Sequence, residues 1–309
     1  MGIDDYPYAP LAGCVNDARS MQHLLRTHED GSPNFDCRLL TAPNERITKA
    51  FLREQIDELL KHEADVALLY FSGHGTENNL GGYLVTPDAT RYDEGVPMAD
   101  VLILANRSPV HEIVVILDCC HSGALGQLPA VDNEGAIIRE GVSILTASRS
   151  TQVAIEAKGA GLFTSLVCDG LDGGAADVIG NVAVAGLYAY VDQALGPWSQ
   201  RPLFKAHVSR LTSLRKCASA VPLLTLRRLP EWFPFPDAEF ALDTSYEPDA
   251  EPHHPEHEEI FGQLQKCRST KLLEPVGEEH MYFAAIRSKS CRLTALGRYY
   301  WRLVNEGRV

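Results

Sequence analysis

Two short segments combine the side chains that covalent catalysis needs. Ser72-Gly73-His74-Gly75 and Asp118-Cys119-Cys120-His121-Ser122-Gly123 each follow a continuous apolar run, Val66 to Phe71 and Ile113 to Leu117. A cysteine attacks as its thiolate, which requires a proton acceptor nearby, and the oxyanion formed on the attacked carbonyl requires donors. His74 can accept the proton, and the glycines beside it let backbone approach a substrate and leave amides available to donate. Runs that are apolar throughout read as parallel strands buried on both faces, and in open α/β sheets ligands gather at the carboxyl ends of strands. That geometry would put His74 and a cysteine thiol at one cleft. An inert buried pair of thiols gives no reason for the polar His-Ser-Gly that follows, so Cys120 reads as the nucleophile. Cys119 then packs toward the sheet, because successive strand positions face opposite ways. His121 adjoins Cys120 in sequence and takes a rim or structural role. Contiguous Cys119, Cys120 and His121, with no second ligand pair, do not make a zinc site.

The elements that must position these groups follow from periodicity. Residues 13–27 and 47–62 carry apolar side chains at helical spacing, and a short strand is expected at residues 37–40. Residues 99–106 read as a helix between the two apolar strands, residues 142–146 as a further strand, and residues 161–171 and 183–195 as helices. Strands alternating with helices imply an α/β fold with a mostly parallel sheet flanked by helices. Such a sheet normally has a strand before a turn like Gly2-Ile3-Asp4-Asp5-Tyr6, so either the start lies upstream or another element fills that position.

With Gly13-Cys14-Val15-Asn16-Asp17-Ala18 ahead of them, the two catalytic segments resemble the caspase-hemoglobinase fold family, and within it the metacaspases and bacterial caspase-like proteases. The 46 residues from His74 to Cys120 also approach the roughly 50 that caspases place between base and nucleophile. The resemblance spans roughly residues 2–217 and implies a three-layer caspase-like domain. It implies Cys120 as nucleophile, His74 as general acid and base, and the amides of Gly75 and Cys120 as oxyanion donors. It further implies that Cys14, Asp17, Ser72 and Asp118 line the pocket for the residue before the cut. Two carboxylates there would neutralise a cation, so Arg or Lys is the expected substrate residue. A helix cap is the structural alternative for Asp17, and a loop-bracing hydrogen bond for Asp118. The loop that the family often cuts during activation corresponds to residues 124–141, where Arg139 is the candidate autoprocessing site; an uncut ordered loop is the alternative. Many metacaspases need calcium, but Asp88, Asp93, Glu94 and Asp100 are scattered, which argues against calcium dependence and leaves no cofactor or metal expected.

The 309 residues have no apolar run long enough to span a membrane. The acidic N-terminus lacks an export signal, and Tyr6 stands where a myristoylation motif wants Ser or Thr, so a cytoplasmic protein is expected. Eight cysteines without a signal peptide argue for reduced thiols. The net charge of -13 is unevenly spread: residues 237–265 hold nine acids and no Lys or Arg, whereas residues 266–309 hold nine Lys and Arg against four Glu. The expected organisation is a peptidase domain over residues 1–217, an extended strap and acidic linker over 218–257, and a small basic domain over 258–309. Within the strap, residues 222–236 are rich in Pro and aromatics. Within the linker, residues 248–257 hold three His that read as solvated rather than as metal ligands. The last domain reads as helical or winged-helix-like, from Leu293-Thr294-Ala295-Leu296-Gly297 before an aromatic helix.

The function expected is thus a cysteine endopeptidase cutting protein substrates after Arg or Lys. The family setting implies a bacterial defence, antiviral or stress cascade, with an activator or recruitment partner at the C-terminal domain. A catalytically silent adaptor and a DNA-binding regulator acting through the basic domain are the alternatives. The overall acidity argues against nucleic acid.

Overall fold

The computed structural model describes residues 1–119, 138–147, 156–157, 160–195, 202–208, 210 and 212–309. The chain divides into two compact units, Met1–Ala176 with Asn181–Cys217, and Asp177–Gly180 with Ala218–Val309.

The first unit is built in the order β1 (Gly2–Ile3), α1 (Cys14–Arg26), β2 (Thr41–Ala42), α2 (Lys49–Leu60), β3 (Val66–Ser72), β4 (Gly75–Asn78), β5 (Gly81–Thr90), β6 (Asp93–Pro97), α3 (Met98–Arg107), β7 (Glu112–Asp118) and β8 (Val142–Thr146). It continues with β9 (Glu156–Ala157), β10 (Ala160–Gly161), α4 (Leu162–Asp169), β11 (Asn181–Ala183), α5 (Val184–Leu195), β12 (Leu203–His207) and β13 (Ser213–Lys216). Six strands form the central sheet in the order β12-β8-β7-β3-β1-β2. All its pairings are parallel except β12 with β8.

The apolar runs of β3 and β7 are continuous because each strand feeds two cores. Leu69, Phe71, Ile113, Val115 and Leu117 join α2 and α3 through Leu52, Ile56, Val101 and Ala105. The alternate positions Tyr70, Val114 and Ile116 join α1, α4 and α5 through Ala18, Met21, Phe163, Val167 and Leu187. Period-two alternation thus supplies both helical layers from one strand.

Three local expectations change. The strand expected at residues 37–40 forms at Thr41–Ala42, the residues that pair with β1. Gly2–Ile3 occupies the first-strand position, between β2 and β3. Residues 75–97 form the small antiparallel sheet β4-β5-β6, which periodicity did not indicate.

The second unit runs α6 (Leu223–Arg227), α7 (Leu229–Trp232), β14 (Glu239–Ala241), a 3-10 turn at Thr244–Tyr246, α8 (Pro255–Ser269), β15 (Leu273–Val276), α9 (Met281–Ile286), β16 (Ser290–Leu293) and α10 (Ala295–Asn305). Its antiparallel sheet has the order β14-β16-β15, so the last strand lies in the middle. The expected extended strap is instead two short helices. Leu226, Leu229, Trp232 and Phe233 lie in the same core as Phe261, Leu264, Cys291 and Leu303, and Trp301 Nε1 donates to the Phe233 carbonyl (2.7 Å). The expected linker likewise gives way to structure at Pro255, where α8 starts. Pro suits the first turn of a helix, and Glu256 and Glu258 there, with Lys266 and Arg268 in the last turn, complement the helix dipole. No helix among the described residues is long and apolar enough to cross a membrane.

Candidate active site

Ser72 and Asp118 are register partners at the carboxyl ends of β3 and β7, so the two strand ends that precede the motif loops lie side by side. Cys120 follows Asp118 by two residues and lies outside the described residues, as does the Ala124 to Ile137 part of the loop that follows it.

Asp17 and Asp118 converge beneath these strand ends. Asp17 is 3% exposed, and its Oδ2 accepts from the Gly161 amide (3.1 Å) and, at the limit of a hydrogen bond, from Ser72 Oγ (3.5 Å). Asp118 Oδ2 accepts from Thr164 Oγ1 (2.6 Å), which leaves that oxygen to accept from the Tyr70 hydroxyl (2.7 Å). A methyl group added to Gly161 would strike Asp118 Oδ2 and lie 3.2 Å from Asp17 Oδ2. The bare glycine is therefore what lets the two carboxylates share one small space. Burial, with the Asp118 and Asp4 charges, pushes the Asp17 carboxyl up to about 7. Cys14 and Ser72 are buried beside them, and burial holds the Cys14 thiol up at about 12, where it is a neutral wall rather than a nucleophile.

The capping alternative for Asp17 is taken by another residue. The Asp4 carboxylate accepts from the amides of Gly13 (3.1 Å), Cys14 (2.8 Å) and Val15 (3.3 Å), satisfying the amino end of α1. Asp17 instead accepts from Gly161 and Ser72 beside Asp118. Asp118 does accept a bracing bond, from Thr164, while also facing Gly161.

His74 stands at the turn between β3 and β4, with Gly75 opening β4. Its Nε2 lies 2.6 Å from the Ala9 carbonyl, which can only accept; the ring therefore carries its proton on Nε2 when neutral, and Nδ1 keeps the lone pair. The Tyr6 ring packs against the imidazole with centroids 4.6 Å apart.

Arg139 is held elsewhere. Its side chain donates to the carbonyls of Ala105 (3.1 Å), Val110 (2.5 Å) and Glu140 (2.5 Å), and its amide donates to Asn106 Oδ1 (2.9 Å). This ties it to the carboxyl end of α3, in the ordered arrangement given above as the alternative to an autoprocessing site. The scattered acids each have their own partner: Asp93 with Lys49, Asp100 with Arg53 (3.3 Å), Asp88 with the Lys49 amide (3.1 Å) and Glu94 with Asn78 (3.2 Å).

Asp4, Tyr6, Ala9, Gly161 and Thr164 belong to the site but carry no motif signal. Tyr6, Ala9, Gly161 and Thr164 act through contacts distant in sequence, Asp4 through the amino end of α1, and Ala9 contributes only a carbonyl.

A family model described as Caspase domain matches residues 1–212. Among solved structures, protein GSU0716 from Geobacter sulfurreducens is similar at 15% identity and a TM-score of 0.51, over 70% of this chain and 95% of that one. Caspase-1 from Spodoptera frugiperda matches at 13% identity and a TM-score of 0.49, over 70% and 88%. No curated protein matches the chain.

Proposed function

The chain belongs to the caspase-domain family, a family of cysteine peptidases, and from that premise we propose that it is an endopeptidase cutting after Arg or Lys. The observation that carries the specificity is the convergence of two buried carboxylates, Asp17 and Asp118, on Gly161 at the strand ends that also bear His74. A guanidinium or ammonium entering that space restores the charge balance that burial makes costly. An acidic side chain would add a third negative charge.

In this reading the Arg or Lys side chain enters between Asp17 and Asp118, with Cys14 and Ser72 as walls. The Cys120 thiol gives its proton to His74 Nδ1, and Sγ bonds to the scissile carbonyl carbon. The Gly75 and Cys120 amides donate to the oxyanion. The C–N bond then breaks as imidazolium His74 passes the proton to the leaving amine. Water attacks the acyl-enzyme, His74 takes its proton, and the Cys120 thiol is regenerated as the acid product leaves. The Ala9 carbonyl favours this sequence, because an Nε2–H tautomer leaves Nδ1 as the acceptor.

We place this activity in a cytoplasmic bacterial defence or stress cascade, with the second unit as the module that recruits an activator or partner. Cleavage of fluorogenic peptides ending in Arg, Lys, Asp or Leu, with and without calcium, tests the enzymatic proposal. Arg and Lys peptides should be cut by the wild type and left intact by Cys120→Ala and His74→Ala. Preference for Asp, or full activity in Cys120→Ala, would refute it.

A further inference from the structure

We infer that Tyr6 is the positioning residue of the His74 imidazole, its hydroxyl clamped between the His74 amide and the Val85 carbonyl and its ring walling the imidazole onto the Ala9 carbonyl. The inference rests on the peptidase reading and assigns a residue that acts through His74 without touching substrate.

The contacts form a closed set. The His74 amide donates to Tyr6 Oη (3.0 Å), Tyr6 Oη donates to the Val85 carbonyl (3.2 Å), and the Val85 amide donates to the His74 carbonyl (3.0 Å). Both main-chain polar groups of His74 are thus tied to the Tyr6–Val85 pair. The side chain is bounded by the Tyr6 ring, tilted 58° to the imidazole, and by the Ala9 carbonyl on Nε2.

Tyr6 and Ala9 lie on one loop. It is closed by the Leu11 amide on the Asp4 carbonyl (2.9 Å) and by the Asp4 carboxylate on α1. The same loop that orients the base therefore also fixes the helix that carries Cys14 and Asp17. A histidine between two glycines has a backbone with wide conformational choice and an imidazole with two neutral tautomers. The clamp selects one orientation and one tautomer. Burial raises the Tyr6 phenol above its ordinary range, so it stays protonated as the donor to Val85 at neutral pH.

Tyr6 is also a core residue, 6% exposed, so the test must separate positioning from packing. Tyr6→Phe keeps the ring and deletes the hydroxyl. Gly73→Ala keeps Tyr6 but places a methyl 2.5 Å from its hydroxyl, displacing it from the His74 amide. For both variants kcat on an Arg peptide should fall about tenfold with KM within about twofold, the pattern of a misplaced acid-base group.

Nitrogen NMR of the imidazole, with the His74 signal assigned by its loss in His74→Gln, should show the Nε2–H tautomer in the wild type and a mixture in both variants. Unchanged kcat and an unchanged tautomer in either folded variant overturn the inference, as does a rise in KM at constant kcat. If Tyr6→Phe fails to fold, Gly73→Ala decides. A wild type without peptidase activity refutes the peptidase reading, and the tautomer comparison then decides the role of Tyr6 by itself.

Discussion

Under the proposed Arg or Lys specificity, Asp17 pits stability against binding within one side chain. Its carboxyl titrates at about 7 in the fold against 3.8 when exposed, so the folded state binds the proton more tightly than the unfolded chain does. Stability from this group is therefore greatest below about pH 4 and is lost as pH rises toward about 7, the reverse of an ordinary paired aspartate. Asp17→Asn should then be more stable than the wild type at pH 8, by about 2 kcal/mol in denaturant unfolding, while losing Arg cleavage. A cationic substrate favours the ionised carboxylate, so protonation competes with binding. Selectivity for Arg over its neutral isostere citrulline should fall about tenfold from pH 8 to pH 6, and the isostere ratio removes any titration of His74 and Cys120 from the comparison. A flat ratio would mean that Asp17 does not face the substrate. Gly161→Ala tests the same pocket sterically, since its methyl would occupy the space between the carboxylates. We expect Arg peptides to lose binding through KM, by about a hundredfold, with the unfolding transition retained. Equal KM values would move the cation elsewhere.

At the scale of elements, the Arg139 anchor joins the entry of β8 to the end of α3. A cation donating to carbonyls at a helix carboxyl end is favourable both as a hydrogen-bond donor and against the helix dipole. Arg139→Ala leaves the Val110 and Ala105 carbonyls without that partner and should cost about 2 to 3 kcal/mol, read as a lowered denaturant midpoint. Arg139→Lys, a single ammonium in place of a fork, should recover less than half of it. In the active wild type, mass spectrometry after prolonged incubation should find the Arg139–Glu140 bond intact. Cleavage there would show that the anchor opens under working conditions. Residues 66–71 and 113–117 were legible as strands because each is apolar throughout, the signature of burial on two faces, and residues 142–146 through their apolar positions Val142, Ile144 and Leu145. The β4-β5-β6 sheet was not, because its strands are rich in Gly and polar residues and only isolated apolar positions such as Leu84 and Val96 join the core. Pro222 and Pro230 misled in the second unit: their composition reads as extended chain, yet both stand at helix starts, where a missing amide costs nothing. His74 could be named from residue type and strand-end placement, and Asp17 and Asp118 only through the family resemblance. Asp4, Tyr6 and Ala9 could not, since the loop they share meets His74 65 to 70 residues later in the chain and one of them offers only its backbone.

At the scale of the whole molecule, the charge of the second unit bears on the partner proposed for it. Read along the chain, residues 266–309 form a basic segment and suggest phosphate contact. The fold instead combines them with the acidic residues 218–265 and with Asp177 in one unit, which holds eleven Lys and Arg against fifteen Asp and Glu, a net charge of -4. Four of the nine basic residues of that segment are already engaged, Arg287 with Glu278, Arg292 with Glu274, Arg298 with Asp237 and Arg308 with Glu306. The solvent-facing side of α9 carries Tyr282, Phe283 and Ile286, apolar surface better suited to a protein partner than to a phosphate backbone. Binding that rests on phosphate neutralisation releases counterions and so weakens steeply with salt, at a slope of about -0.9 per contact. The full-length protein should accordingly show no binding to a 30-base-pair duplex at about 10 µM protein in 50 mM salt, conditions in which cationic DNA-binding modules bind even nonspecifically. Retention of duplex with a log-log salt slope of about -4 or steeper would require a basic face that outweighs the unit's own acids, and would restore the DNA-binding regulator over the recruitment module. Absence of binding at both 50 mM and 200 mM salt leaves protein recruitment as the role that the unit's charge and exposed apolar side chains favour.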